Sequence, residues 1–147
     1  MRVLLIADTH GVLDERILER ARGCDAVAHA GDIGSAEVLA RLRDACAQIV
    51  AVRGNNDVAG KWLRRDHALL DALPETAVLE LPGGTLAVVH GDAFSPGVRH
   101  RRLRERFADA RAVVYGHSHR LCIDEDAMPW VLNPGAAGRA RTYGGAG

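Results

Sequence analysis

Short apolar runs and amphipathic stretches alternate along the chain. Val3-Leu4-Leu5-Ile6-Ala7 is continuously apolar, as expected of a strand buried on both faces. Leu13, Ile17, Leu18 and Ala21 then recur at helical spacing. Asp25 to Ala30 reads as a second strand and ends in Gly31-Asp32. Ser35 is suited to cap a helix running through Val38, Leu39 and Leu42. Ile49 to Val52 is a third strand and leads into Gly54-Asn55-Asn56-Asp57. Repeated β-loop-α units predict a parallel sheet with helices packed on it.

The second half changes character. Thr76 to Leu81 and Thr85 to Val89 flank Pro82-Gly83-Gly84, a hairpin signal. A basic helix is expected from about Val98 to Ala108, then a strand from Ala112 to Tyr115 that ends in Gly116-His117-Ser118-His119. Leu121 to Asp124 and Trp130 to Leu132 are read as a strand pair around Met128-Pro129. Strand pairs after βαβ units make the expected sheets mixed. No internal repeat or linker divides the pattern, so residues 1–147 are read as one domain, with a fraying tail from Gly144 to Gly147.

The polar residues follow the strands. Asp8, Asp32, Asn55, His90 and His117 each stand at, or just past, the end of an apolar run. In an α/β sheet the carboxyl ends of parallel strands line the ligand crevice. Imidazole and carboxylate together suit Mn, Fe, Zn or Ni, and the Asn amide adds a hard oxygen. One carboxylate can bridge two cations about 3.5–4 Å apart. The spacings Asp8-Thr9-His10 and His117-Ser118-His119 let one turn supply two donors. A lone histidine at a strand end is more often a hydrogen-bonded loop residue, and a lone Gly-Asp is usually a turn. Such elements recurring in order at successive strand ends favour a metal site.

Composition narrows the class. Nineteen basic residues balance nineteen acidic ones, which gives no global pull toward nucleic acid or anionic membrane. Three cysteines, without a Cys-x-x-Cys spacing, argue against a disulfide framework or a thiolate zinc site. They are expected to be buried and reduced. The first apolar run stops at a charge and resembles neither a signal peptide nor a membrane span. The expected location is cytoplasmic.

The ordered set Asp8-Thr9-His10, Gly31-Asp32, Gly54-Asn55-Asn56-Asp57, His90-Gly91 and Gly116-His117-Ser118-His119 resembles the calcineurin-like metallophosphoesterases. The small size and Asn133-Pro134-Gly135 are similar to their compact bacterial and archaeal phosphodiesterase branch. The resemblance implies an α/β fold of two packed mixed β-sheets flanked by helices, a four-layer α/β/β/α sandwich. It implies two divalent ions, Mn2+ by expectation, with Fe, Zn, Ni or Mg as alternatives. Asp8, His10, Asp32 and His119 would hold the first ion. Asp32, Asn55, His90 and His117 would hold the second, with Asp32 shared. A metal-bridging hydroxide would attack phosphorus, and Asp32, Asn55 and His90 would carry the catalysis.

The implied substrate is a small-molecule phosphate ester. A diester is the first choice, and a monoester or a nucleotide pyrophosphate on the same site is the alternative. Another is a non-catalytic interaction module, since a retromer subunit of the family serves as a scaffold. Asn56 departs from the family's usual His or Cys and cannot donate a proton to an alkoxide. Relatives usually continue with a further strand after the Asn-Pro-Gly stretch, so the last strand is expected to be shortened, and a homo-oligomer is left open. His29 and Asp57 are candidate supports for ligands, with Asp57 alternatively capping a helix. Arg99 and His100 are candidates for reaching a substrate phosphate. The Arg-rich stretch from Arg99 to Arg106 is read as a solvated helix face, which disfavours nucleic acid as a partner.

Overall fold

The computed structural model describes residues 1–138. β1 (Val3–Ile6), β2 (Ala26–His29) and β3 (Ile49–Ala51) form a parallel sheet in that order. Two helices make the crossovers, α1 (Glu15–Arg22) and α2 (Ala36–Ala45). Asp14 caps α1, accepting from the Arg16 amide at 2.9 Å. Ser35 precedes α2 with extended backbone, but its hydroxyl makes no capping bond.

A further helix, α3 (His67–Ala72), follows a 3-10 turn over Arg64–Asp66. The sequence pattern did not single it out. With six residues it is too short to display a 3.6-residue period, and Leu70 is its only fully buried residue.

The second sheet holds β4 (Thr76–Leu81), β5 (Gly84–Val89), β6 (Ala112–Val114), β7 (Leu121–Asp124) and β8 (Trp130–Pro134). Its order is β4-β5-β6-β8-β7, with a parallel centre and antiparallel outer pairs. Pro82 and Gly83 turn the β4–β5 hairpin, and Gly83 takes φ 82°, the positive value that follows Pro in a type II turn. α4 (Arg99–Arg106) packs on this sheet's outer face.

Alternation along the strands creates the layers. Ala26, Ala28 and Ala30 join Leu86, Val88 and Val114 between the two sheets. Small alanines let the sheets approach closely. Val27 and Ile6 pack with Leu18, Leu39, Leu42 and Leu70 on the helical side of the first sheet. Ala87, Val113 and Val131 meet Leu103 of α4 on the far side of the second. The arrangement is the expected four-layer α/β/β/α sandwich. Each fully buried Leu or Val contributes roughly 1.5–3 kcal/mol.

Cys24, Cys46 and Cys122 are free thiols, as expected, but only Cys46 is buried and the other two are part-exposed. No described helix is long and apolar enough to cross a membrane. The expected frayed tail and shortened last strand fall beyond residue 138, outside the described residues.

Candidate metal centre

The parallel strands deliver their carboxyl ends to one rim. Asp8 and His10 follow β1, Asp32 follows β2, Asn55 follows β3, His90 follows β5, and His117 and His119 follow β6. The loops are stitched together by their backbones. The Asp8 and His10 amides donate to Gly31 and Asp32 carbonyls at 3.0 and 2.9 Å, and the Gly116 amide donates to the His90 carbonyl at 3.1 Å.

Five described non-glycine residues adopt positive φ: Asp8 (54°), His10 (46°), Asp32 (54°), His117 (64°) and His119 (55°). Left-handed backbone is costly for residues carrying a Cβ and persists where the surroundings enforce it. Here it coincides with five of the seven residues that the sequence proposes as ligands.

The side chains form two overlapping groups. Asp8, His10, Asp32 and His119 offer ligand atoms that all lie within 4.8 Å of one another. His10 Nε2 is 3.4 Å from His119 Nε2 and 3.7 Å from Asp32 Oδ2, while His119 Nε2 is 3.5 Å from Asp8 Oδ1. On the other side of Asp32, His90 Nε2 is 3.5 Å from its Oδ1 and 2.9 Å from Asn55 Oδ1. His117 Nδ1 lies 3.1 Å from the same Asn55 oxygen. His90 Nδ1 donates to the Ala30 carbonyl at 2.8 Å, which leaves Nε2 as the nitrogen able to bind a cation.

The electrostatics fit a cation. Asp8 is fully buried, and among the described residues its Oδ2 has no hydrogen-bond partner. Burial, with the Asp32 charge beside it, pushes the Asp8 carboxyl up to about 8. Burial also holds His117 and His119 below the usual imidazole range, with His90 and His10 respectively as the next causes, so both favour the neutral form that binds metal. Two buried carboxylates beside imidazoles that favour the neutral form are what a divalent ion would satisfy.

The candidate supports bond to the loops that carry the donors. Asp57 caps no helix. Its carboxylate accepts from the Ile33, Gly34 and Gly54 amides at 2.8–3.0 Å and from the Trp62 indole at 3.2 Å, so it clamps the Asp32 loop to the Asn55 loop. His29 is buried, meets the Thr9 hydroxyl at 2.9 Å and is held down to about 4 by burial, which braces the segment between Asp8 and His10. Asn56 donates to Asp32 twice.

Arg99, a candidate for reaching a substrate phosphate, is near enough for its charge to lower His117, but its side chain is engaged elsewhere. It is buried, with Nε on the Phe94 carbonyl at 3.1 Å and its guanidinium over the Tyr115 ring. His100 is likewise engaged away from the rim, by Asp124 and Tyr115. Both face the outer side of the second sheet because α4 packs there. Arg101 and Arg102 pair with Glu105 on the exposed face of α4, as a solvated helix face does.

Sequence reasoning missed Asn133, whose Nδ2 holds the Gly116 carbonyl at 2.8 Å and the Ser118 hydroxyl at 3.0 Å. It also missed Lys61, the chain's one lysine, which donates to the Asn56 amide oxygen. The Asn133-Pro134-Gly135 motif was the available signal for the first. A lysine after a loop gives none for the second.

Comparison with known proteins places these features among relatives. The model of the calcineurin-like phosphoesterase superfamily domain matches residues 1–146. A probable metallophosphoesterase of Methanocaldococcus jannaschii is 30% identical over 145 residues, covering 92% of this chain and 68% of its own. A phosphodiesterase of the same archaeon is 27% identical over 144 residues, covering 92% and 83%. The crystal structure of Vps29 from Entamoeba histolytica complexed with Zn2+ matches with a TM-score of 0.73 at 25% identity, over 93% of this chain and 75% of that one.

Proposed function

The chain belongs to the calcineurin-like phosphoesterase superfamily, and from that premise we propose that it is a phosphodiesterase acting through two divalent cations. One observation carries the reading. Asp32 stands between two donor groups, with His10 Nε2 3.7 Å from one oxygen and His90 Nε2 3.5 Å from the other. Asp8, His10, Asp32 and His119 would hold one ion. Asp32, Asn55, His90 and His117 would hold the other. Such a pair, when bound, neutralises charge on a phosphoryl group and supplies a water ionised near neutral pH. Mn2+ is the expected ion, on the mixed nitrogen and oxygen donor set.

The residues divide the remaining work. Asn55 is exposed at the rim, and among the described residues its amide nitrogen has no protein partner, so it is available to a phosphate oxygen. Asn56 is occupied by Asp32 and Lys61 and, as an amide, offers no proton to a leaving alkoxide. The chain therefore favours an ester whose leaving group departs unprotonated or draws its proton from water. The name of the 27%-identical archaeal relative supports the choice of a diester over a monoester.

Turnover of an aryl phosphodiester and of the matching monoester, with Mn2+ added, tests the reading. Preference for the diester is expected, and preference for the monoester overturns it. Absence of turnover on both would favour the interaction-module reading on the same fold.

A further inference from the structure

Behind the rim, on the outer face of the second sheet, lies a polar network that the proposed reaction does not use. His100 of α4 places Nδ1 2.6 Å from Asp124 Oδ2 on β7 and Nε2 2.9 Å from the Tyr115 hydroxyl. Arg104, one turn further along α4, donates to Asp124 Oδ1 at 2.5 Å and to the Pro129 carbonyl at 3.1 Å. The network is largely shielded, with Asp124 and Arg104 side chains 17% and 20% exposed. Its order sets its direction. Arg104 only donates and ionised Asp124 only accepts, so His100 carries its proton on Nδ1 and Nε2 accepts from Tyr115.

Tyr115 connects this network to the ligand loops. It is buried and immediately precedes Gly116-His117-Ser118-His119. Its hydroxyl lies within polar reach of Asn133 and Ser118. Asn133 in turn holds Gly116 and Ser118. The Tyr115 ring also backs the His90 loop, since a Cβ on Gly91 would stand 3.1 Å from it. His117 and His119 both keep left-handed backbone, which lasts only where neighbours enforce it. A packed tyrosine anchored at its far end by a histidine that Asp124 holds in place is such a constraint.

We propose that His100, held by Asp124 and Arg104 and acting through Tyr115, is a positioning residue that keeps the His117–His119 turn in metal-binding geometry. The proposal rests on the metal centre argued above. If it is right, α4 does more than cover the sheet, because its one histidine tunes the affinity of a site that it does not touch.

A double-mutant cycle on the full chain tests this. Mn2+ binding to wild type, His100→Ala, Tyr115→Phe and the double variant is measured by calorimetry, with kcat and KM for an aryl phosphodiester at several Mn2+ concentrations. Each single variant should weaken Mn2+ binding on the order of tenfold, as loss of a ligand's support does. The double variant should be no worse than the weaker single, because both act along one path. Excess Mn2+ should restore kcat with KM unchanged. His100→Gln, whose amide can donate to Asp124 and accept from Tyr115, should recover part of the loss.

Wild-type affinity in both single variants, or additive losses in the double, overturns the proposal. If His100→Ala fails to fold, Tyr115→Phe carries the same test, and wild-type Mn2+ affinity in that variant overturns the proposal. A wild-type chain that takes up no Mn2+ overturns the metal centre itself, and the proposal with it.

Discussion

Asn56 grips both oxygens of Asp32, its backbone amide donating to Oδ1 and its side-chain amide to Oδ2, each at 2.8 Å. Lys61, which can only donate, takes the remaining Asn56 oxygen and so fixes which end of the amide faces the carboxylate. The residue at a position expected to hold a proton donor is here a clamp on the carboxylate shared by the two donor groups. A hydrogen bond to a charged group contributes about 1.5–3 kcal/mol. Asn56→Ala should therefore weaken divalent-ion binding about 10- to 100-fold, as measured by calorimetry. Asn56→Asp should be worse, since it sets a second carboxylate against Asp32. Unchanged binding in Asn56→Ala would remove the clamp from the account.

Gly54 is sterically committed. A Cβ there would lie 2.2 Å from both the backbone nitrogen and the Oδ1 of Asp32, whereas one on Gly60 would meet nothing within 4 Å. Backbone cannot yield as a flexible side chain can, so Gly54→Ala should cost at least about 1–3 kcal/mol. At about 2–4 °C per kcal/mol, the melting temperature should fall by several degrees, and metal uptake should fall with it. Gly60→Ala should leave both unchanged. Equal melting temperatures for the two variants would contradict the close packing of the loops.

Asp57 gathers three backbone amides and one indole, with no cationic side chain on its carboxylate among the described residues. Each buried donor left unsatisfied costs about 1–3 kcal/mol. Asp57→Ala should thus forfeit much of the chain's stability, a loss of more than about 4 kcal/mol in urea unfolding. Asp57→Asn, which keeps one acceptor oxygen, should lose less. A mild effect of the alanine variant would mean that the two loops hold together without the clamp.

The metal-free chain should grow less stable with rising pH. Burial beside Asp32 raises the Asp8 carboxyl from 3.8 to about 8, so folding favours its protonated form. The stability linked to Asp8 is fully present below about pH 4 and is lost as pH rises toward 8. His29 runs the other way: burial lowers it from 6.5 to about 4, so its contribution is present above pH 6.5 and is lost as pH falls through 4. Between pH 6.5 and 8 the Asp8 trend stands alone of the two. In EDTA the unfolding midpoint should fall across that interval. Saturating Mn2+ should abolish the fall, because the ion displaces the proton and binding below pH 8 releases it. A midpoint that climbs in EDTA would contradict a buried Asp8 carboxyl that folding keeps protonated.

Much of this was legible in the sequence, and the reasons are local. Val3–Ile6 announces a buried parallel strand because no polar residue interrupts it, and Ala26–His29 is apolar up to His29 at its last position. Asp8, Asp32 and His90 were found because strand ends are where a parallel sheet displays its chemistry. α3 was not found, because a helix with a single fully buried residue leaves no period to detect. Arg99 and His100 were aimed at the substrate on sequence proximity to His90. Their actual direction depends on α4 crossing the outer face of the second sheet, and chain order does not encode that. Asn133 and Lys61 act through partners 17 and 5 residues away, and only the fold brings those together.

On the proposed reading, Asp32 joins two metal sites into one centre. Elemental analysis after loading with Mn2+, alongside turnover of an aryl phosphodiester, tests it most directly. Two ions per chain are predicted for wild type. Asp32→Ala should lose the second ion and most of the first, with turnover reduced by roughly a thousandfold or more, as expected when a two-ion clamp is dismantled. An Asp32→Ala variant that retains both ions and full turnover would contradict the account.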